Sequence, residues 1–160
     1  MPPVAAPRAI HLSAGVAVSR RDAGDRWLFL LLRVFRSWDF PKGMVERGED
    51  PFAAAAREVR EESTIVDLEF PCERDYIETG PYGRGKVARY YLGVTRTARV
   101  TLPVVPELGK PEHHEWRWVD YEQALGLVSP RVLPVVDWAH DRLRAAGDAP
   151  RSGPPGAGGG

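Results

Sequence analysis

The patterned part of the chain opens with two apolar runs separated by a polar turn. The first run is HLSAGVAVSR at positions 11–20, and the second is RWLFLLLRVF at positions 26–35. Both runs are rich in residues that favour strands, and the intervening RDAGD has the composition of a turn. This pattern predicts a β-hairpin or two neighbouring strands.

Further short runs continue the strand-rich pattern. SWDFPKG at 37–43 and IVDLEF at 65–70 predict short extended segments. RDYIETG at 74–80 and KVARYYLGVTR at 86–96 are joined by the glycine-rich PYGRG. We expect these two segments to form a second antiparallel hairpin.

Helical periodicity begins at Pro51, where proline suits the first position of a helix and Asp50 is placed to cap the free N–H groups. One face of this helix is apolar and would pack on a core. Its members are Phe52, Ala55, Ala56 and Val59.

The last third of the chain combines one strand with two helices. HEWRWVDYEQALGLV at 114–128 begins as a strand, in which Trp116 and Trp118 are expected to pack in the core, and continues as a helix. PRVLPVVDWAHDRLRAAG predicts a C-terminal helix with Gly147 beyond its end. Strands joined mostly by hairpins and flanked by helices predict an α+β fold, a mixed β-sheet sandwiched between α-helices.

Length and composition place this fold in one domain. The chain has 160 residues, and its ends, 1–10 and 147–160, are rich in Pro, Ala and Gly, so we expect both to be disordered and 11–146 to form the domain. Acidic and basic residues number 22 each, which gives no global field for a nucleic acid or a membrane. The single Cys72, and the lack of any long apolar or signal-like run, predict a cytoplasmic protein without disulfides.

The helix that starts at Pro51 carries an unusual set of charges. Glu58, Glu61 and Glu62 lie three and four residues apart near its C-terminal end, where their charges repel one another and oppose the helix dipole. A helix shaped only for stability would place acids in its first turn. A divalent cation, Mg²⁺ or Mn²⁺, would compensate these carboxylates, since both ions prefer oxygen ligands.

The residues around this helix resemble the Nudix box of the Nudix hydrolases. The match consists of Gly43, Glu49, the run REVREE at 57–62, and an apolar Ile65, all at the spacing of the box. Thr64 stands where the family usually has glycine, so the helix end is either strained or differently formed. The resemblance implies the Nudix fold and the metal-dependent hydrolysis of a substrate that contains a nucleoside diphosphate.

The resemblance also implies roles for the matching residues. Glu58 and Glu62 would be the main metal ligands, with Glu61 as a further ligand or proton acceptor. Glu49 and Arg57 would pair to brace the loop against the helix, which makes Arg57 part of the catalytic machinery. The backbone around Lys42 and Gly43 would complete the metal shell.

The segment WDFPKGMVERGE resembles the box entrance of dinucleoside polyphosphate hydrolases and diphosphoinositol polyphosphate hydrolases. The later KVARYYL and EHHEWRWVDYEQA are more similar to the first group, and in particular to enzymes that cleave diadenosine tetraphosphate asymmetrically. Lys42 and Lys86 are the cations expected on the phosphate chain. Three tyrosines could stack on a base or could simply pack in strands. They are Tyr76, Tyr82 and Tyr90.

The segment EHHE at 112–115 offers the one candidate active-site acid outside the box. The resemblance to the dinucleoside polyphosphate hydrolases, which have a glutamate just before this aromatic-Arg-Trp strand, implies that Glu112 acts as a ligand or general base, with Glu115 as its rival if the loop register differs. His113 and His114 are adjacent, so in an extended chain they point to opposite sides and cannot share one zinc ion.

Three functions compete. The first is hydrolysis of dinucleoside polyphosphates such as diadenosine tetraphosphate to ATP and AMP. The second is removal of pyrophosphate from RNA 5′ ends or hydrolysis of diphosphoinositol phosphates. Binding of a diphosphoinositol phosphate would require a pocket with more basic residues. The third is nucleotide binding without catalysis, which the presence of all four box acids disfavours. The sequence does not define the oligomeric state.

Overall fold

The computed structural model describes residues 11–148, so the two predicted disordered ends lie almost entirely outside the described residues. Within these residues, nine strands and three helices follow one another. They are β1 (His11–Arg21), β2 (Trp27–Val34), β3 (Ser37–Asp39), β4 (Lys42–Met44), α1 (Pro51–Ser63), β5 (Tyr76–Tyr82), β6 (Lys86–Val94), β7 (Val104–Val105), β8 (Lys110–Pro111), β9 (Glu115–Val119), α2 (Tyr121–Leu127) and α3 (Leu133–Asp148).

Strand β1 organises a seven-stranded mixed sheet. It pairs antiparallel with β2 and β4 and parallel with β6, which in turn pairs antiparallel with β5. Strands β3 and β9 both pair antiparallel with β2, and β7 and β8 form a separate two-stranded sheet. Both predicted hairpins are therefore confirmed.

The sheet is covered on both faces, and strand β2 shows why. Its alternate residues point to opposite sides. Phe29 and Leu31 belong to a core packed against α2 and α3, whereas Leu30 and Leu32 belong to a second core packed against α1. The predicted sandwich of a mixed sheet between helices is confirmed.

Helix α1 starts at Pro51 as predicted, but its ends differ in detail from the prediction. Asp50 makes no side-chain cap and instead lies 3.3 Å from Arg74. On the packed face Ala54 is buried, while Ala56 is only half-buried. Thr64 has a left-handed φ of 67°, and its N–H donates to the Arg60 carbonyl, so the strained alternative for the helix end is the one that forms.

Residues 65–70 pair with the sheet through one bridge, Glu69 to Val94, and the Asp67 carboxylate accepts hydrogen bonds from residues 95–97. Two other predictions are wrong. Gly147 lies inside α3, since one glycine costs a helix only about 1 kcal/mol. Trp116 is exposed at the rim, because β9 pairs only with β2 among the described strands.

Within residues 11–148, none of the helices combines the length and the apolar character that crossing a membrane would require.

Candidate active site

A polar cleft of about 440 Å³ opens where strand β4, helix α1 and the turn between β5 and β6 come together. The loop before β9 adds Glu112 to its wall. The lining residues are Ser13, Lys42, Gly43, Met44, Glu58, Glu61, Glu62, Tyr82, Lys86 and Glu112. The structure thus brings most of the predicted site residues into one place.

Strand β4 can approach α1 only because it contains a glycine. Gly43 pairs with Ala14 of β1, and a Cβ atom at this position would lie 2.1–2.4 Å from the carboxyl group of Glu58. Any side chain there would displace Glu58. The glycine of the box therefore sets the position of a carboxylate as well as the path of the backbone.

Glu62 is the most buried acid of the cleft, with 7% of its surface exposed. Its Oε2 atom accepts a hydrogen bond of 3.1 Å from the Lys42 N–H. Burial, reinforced by the nearby charges of Glu58 and Glu112, raises the pKa of Glu62 to about 9. Burial also raises the pKa of Glu58, although Arg57 opposes that shift.

Arg57 connects the other acids of the box. Its Nε and Nη2 atoms donate to the two oxygens of Glu49 at 2.8 and 3.0 Å, and its Nη1 donates to Glu58 at 2.8 Å and Glu61 at 2.9 Å. Nη2 also donates to the Met44 carbonyl. Hydrogen bonds from Arg57 and from the Glu46 N–H hold the pKa of Glu49 at about 2. The guanidinium therefore ties the loop after β4 to helix α1.

The basic and aromatic candidates are separated by the structure. Lys42, Lys86 and Tyr82 line the cleft. Tyr76 lies against Tyr91 and under the guanidinium of Arg89, is 45% exposed, and does not line the cleft. The geometry leaves Tyr82 as the aromatic side chain that a ligand in the cleft can reach.

The prediction that Tyr90 binds substrate is wrong. Its side chain is fully buried, because both faces of β6 are covered and Tyr90 points into the core on the α3 side. Its hydroxyl contacts Asp39 at 2.9 Å and accepts from Arg131 at 3.0 Å. Tyr90 therefore contributes to the wall behind the cleft rather than to its surface.

Asp39 and Arg131 are residues of this neighbourhood that sequence reasoning missed. Arg131 Nη2 donates to Asp39 at 2.8 Å, and its guanidinium lies 4.2 Å from the centre of the Tyr82 ring. Asp39 in turn lies 3.7 Å from the ammonium of Lys42. The Asp39–Arg131 pair therefore contacts both Lys42 and Tyr82, which line the cleft.

The loop before β9 separates Glu112 from Glu115. Residues 112–114 bend instead of continuing strand β9 towards its N-terminal side. Glu112 lines the cleft, whereas Glu115 pairs with Arg33 at 3.4 Å and Arg117 at 2.7 Å. Glu112 is therefore the acid that this loop supplies to the cleft.

The two histidines of this loop do diverge. Possible ligand atoms of His113, Glu112 and Glu62 lie within 4.8 Å of one another, while the His114 ring packs edge-on against Phe35 at 5.5 Å. Burial lowers the pKa of His113, which favours the neutral imidazole. Sequence reasoning missed His113, and the Glu-His pair directly before the strand is the signal that could have identified it.

The donor set of the cleft fits a divalent cation. Several carboxylates converge in it, one of them buried, and a carboxylate buried among like charges is costly unless a cation or protons compensate it. Oxygen ligands of this kind suit hard cations such as Mg²⁺ and Mn²⁺.

Comparison with known proteins agrees with this architecture. The NUDIX domain family model matches residues 9–139. The chain is 34% identical over 118 residues to the asymmetrical bis(5′-nucleosyl)-tetraphosphatase of Caenorhabditis elegans, and this match covers 71% of this chain and 81% of that protein. It is 30% identical over 101 residues to an RNA pyrophosphohydrolase of Pelagibacter ubique, where the match spans 57% of this chain and less than two thirds, 64%, of the relative.

Solved structures give the same result. The binary complex of the C. elegans Ap4A hydrolase superposes with a TM-score of 0.73 and 26% identity, over 85% of this chain and 99% of that one. The box sequence, the sandwich and the family match describe one kind of protein. The chain is a Nudix hydrolase.

Proposed function

We propose that the chain hydrolyses dinucleoside polyphosphates, and that it converts diadenosine tetraphosphate to ATP and AMP. One observation carries the proposal: a single cleft combines carboxylates suited to a metal with two lysines and an accessible tyrosine. The carboxylates would bind a cation that contacts the phosphates, and the lysines neutralise the charge of the phosphate chain. The Tyr82 ring can stack on a base. The likeness to the C. elegans tetraphosphatase supports this substrate class.

Glu58, Glu61 and Glu62, with the backbone near Gly43, are the groups that would hold Mg²⁺ or Mn²⁺. When bound, such an ion polarises the phosphates and lowers the pKa of a coordinated water. Arg57 acts as a positioning residue, because its N–H groups are directed to Glu49, Glu58, Glu61 and the Met44 carbonyl.

The reaction adds one water across a phosphoanhydride bond. The water oxygen attacks phosphorus, the bond to the bridging oxygen breaks, and the leaving nucleotide keeps its remaining phosphates. Glu112 or Glu61 accepts the proton that the attacking water loses, since both carboxylates line the cleft. A cleft that binds one nucleotide and its adjacent phosphates hydrolyses the polyphosphate away from its midpoint. This asymmetric hydrolysis yields ATP and AMP.

RNA 5′-pyrophosphohydrolase is the second candidate function, favoured by the relatives of that name. A diphosphoinositol phosphate is less suited, because only two lysines are among the residues that line the described cleft. A binding-only role is the weakest, since Glu49, Glu58, Glu61 and Glu62 are all present. The cytoplasmic location stays a prediction from the sequence.

A substrate panel separates these candidates. The protein is incubated with Mg²⁺ or Mn²⁺ and, separately, with dinucleoside polyphosphates of three to six phosphates, nucleotide sugars, ADP-ribose and triphosphorylated RNA, and the products are resolved by chromatography. The proposal expects the highest kcat/KM on a dinucleoside polyphosphate. A higher kcat/KM on triphosphorylated RNA would favour the second candidate, and binding without turnover of any substrate would favour the third.

A further inference from the structure

Arg131 lies in the turn between α2 and α3, behind the cleft. The parallel bridge between Val128 and Trp38 places this turn beside β3. Arg131 itself is not one of the described residues that line the cleft. Its side chain nevertheless connects to the cleft in two ways, one through a tyrosine and one through a lysine.

The guanidinium of Arg131 has fixed partners along its edge. Nη1 donates to the Thr79 hydroxyl at 2.7 Å and to the Tyr90 hydroxyl at 3.0 Å, and Nη2 donates to Asp39 at 2.8 Å. Thr79 and Tyr90 are buried, so water competes little for these hydrogen bonds. The orientation of the planar group is therefore set by acceptors from three strands, β3, β5 and β6.

The flat face of this guanidinium supports the Tyr82 ring. Its Cζ atom lies over the ring, 4.2 Å from the ring centre. The ladder between β5 and β6 is irregular between Thr79 and Tyr82, so backbone pairing alone fixes the position of Tyr82 less strictly. Because Tyr82 lines the cleft and Arg131 does not, the guanidinium covers the ring on the side away from the cleft. The opposite face stays open to a base, and a ring that is already held in place loses less freedom on binding.

The contact with Asp39 affects the charge of the cleft. Asp39 Oδ2 is shared between Arg131 Nη2, at 2.8 Å, and Lys42 Nζ, at 3.7 Å. Two positive groups around one carboxylate leave one net positive charge, whereas Lys42 and Asp39 alone would form a neutral pair. Since the shorter contact belongs to Arg131, the Lys42 ammonium remains available for a phosphate.

We propose that Arg131 is a positioning residue for the substrate. It holds the Tyr82 ring in place for the base, and it neutralises Asp39 so that Lys42 keeps its positive charge for the phosphates. Arg131 acts through these two side chains and does not contact the substrate itself. The inference deepens the proposed function and rests on it, because that function assigns the base to Tyr82 and the phosphates to Lys42.

Two substitutions at Arg131 separate its two contributions, and Arg142 provides a matched control. Arg131→Gln removes the charge, whereas Arg131→Lys keeps the charge and removes the planar face. Arg142 also lies over an aromatic ring, that of Trp138, and donates to Asp75 at 2.8 Å, but it is not among the described residues that line the cleft. Arg142→Gln therefore removes the same kinds of contact at a place where we expect no effect on the ligand.

NMR titrations of the full-length protein with Mg²⁺ test the proposal with two probes. AMP has a base and a phosphate, ribose 5-phosphate has the phosphate without the base, and neither contains a phosphoanhydride bond. Arg131→Gln should weaken AMP binding by at least about tenfold, because both contributions are lost, and ribose 5-phosphate binding by about two- to fivefold. Arg131→Lys should weaken AMP binding by about two- to fivefold and leave ribose 5-phosphate binding within about twofold of the wild type. Arg142→Gln should match the wild type for both probes.

Wild-type affinity for AMP in Arg131→Gln, an equal loss in Arg142→Gln, or a wild type that does not bind AMP would overturn the proposal. Equal losses of ribose 5-phosphate binding in Arg131→Gln and Arg131→Lys would overturn the role of the charge. The amide spectrum shows whether each variant folds, and if Arg131→Gln does not, wild-type AMP binding in Arg131→Lys would overturn the proposal instead. The titrations require no turnover. A protein that binds AMP through Arg131 but does not hydrolyse diadenosine tetraphosphate would therefore contradict the proposed function alone.

Discussion

Glu62 shows how one residue links stability to chemistry. Its carboxyl is buried near Glu58 and Glu112, and in the absence of a cation its pKa of about 9 keeps it protonated at neutral pH. The group binds its proton more tightly in the folded chain than in the unfolded chain, where the pKa is near 4.5. The free energy of unfolding therefore falls as the pH rises from about 5 towards 9.

Glu62→Gln should remove this pH dependence. In EDTA, we expect the variant to melt at least about 3 °C above the wild type at pH 8, which corresponds to about 1 kcal/mol, and the difference should shrink towards pH 5. Thermal melts across this pH range provide the measurement, with Glu61→Gln as the control because its side chain is 54% exposed. A sharp fall in melting temperature for Glu62→Gln at pH 8 would show a structural role instead.

Glu112 and Glu115 form a matched pair for testing the general base. Glu112→Gln should lower kcat by about 10²- to 10⁴-fold with a smaller change in KM, since a lost general base affects the transition state more than substrate binding. Glu115→Gln should be nearly silent, because Glu115 pairs with Arg33 and Arg117. Steady-state kinetics of both variants decide the point. A large loss at Glu115 and none at Glu112 would refute the assignment.

Tyr82 and Tyr76 can be compared in the same way. Tyr82 lines the cleft, whereas Tyr76 packs against Tyr91. Tyr82→Ala should raise KM for diadenosine tetraphosphate by about 5- to 150-fold, because stacking on one base contributes about 1–3 kcal/mol. Tyr76→Ala should leave KM within about twofold of the wild type. An unchanged KM in Tyr82→Ala would show that the base does not stack on Tyr82.

At the scale of elements, helix α1 was predictable because its signals are local. The Pro51 start, the apolar stripe and the carboxylate spacing all lie within one short segment, and the structure differs from them only at Ala54, Ala56 and the Asp50 cap. The support behind the cleft was not predictable, because Asp39 and Arg131 meet only through the packing of distant elements. The prediction that Tyr90 binds substrate failed for a related reason, because the alternation of residues along β6 does not reveal that both faces of the strand are covered.

The C-terminal end of α1 makes a prediction about strain. Thr64 has a left-handed φ of 67°, which costs a β-branched residue about 1–2 kcal/mol relative to glycine. Thr64→Gly should therefore raise the melting temperature by about 2–6 °C in a chain of this length. Arg60→Gly, at an exposed helical position one turn earlier, should lower it because glycine weakens a helix interior by about 1 kcal/mol. A lower melting temperature for Thr64→Gly than for the wild type would contradict the inference that Thr64 is strained.

At the scale of the whole molecule, the sheet and its two helical layers hold parts of the cleft that are far apart in the chain. Helix α1 presents the acids from one layer, β4 carries Lys42 and Gly43, the β5–β6 turn brings Tyr82 and Lys86, and the loop before β9 adds Glu112. The sequence predicted most of these residues, and the local pattern predicted the β5–β6 pairing as well. The contact between Asp39 and Arg131 behind the cleft was not predicted, because these residues meet only through the packing of distant elements.

The products formed from diadenosine tetraphosphate show whether the chain hydrolyses this substrate asymmetrically. The full-length protein is incubated with this substrate and Mg²⁺ or Mn²⁺, and the nucleotides are quantified by anion-exchange chromatography, with an EDTA-treated sample as the control. We expect equal amounts of ATP and AMP and no turnover in EDTA. Two ADP as the main products, turnover that survives chelation, or no turnover with either metal would contradict it.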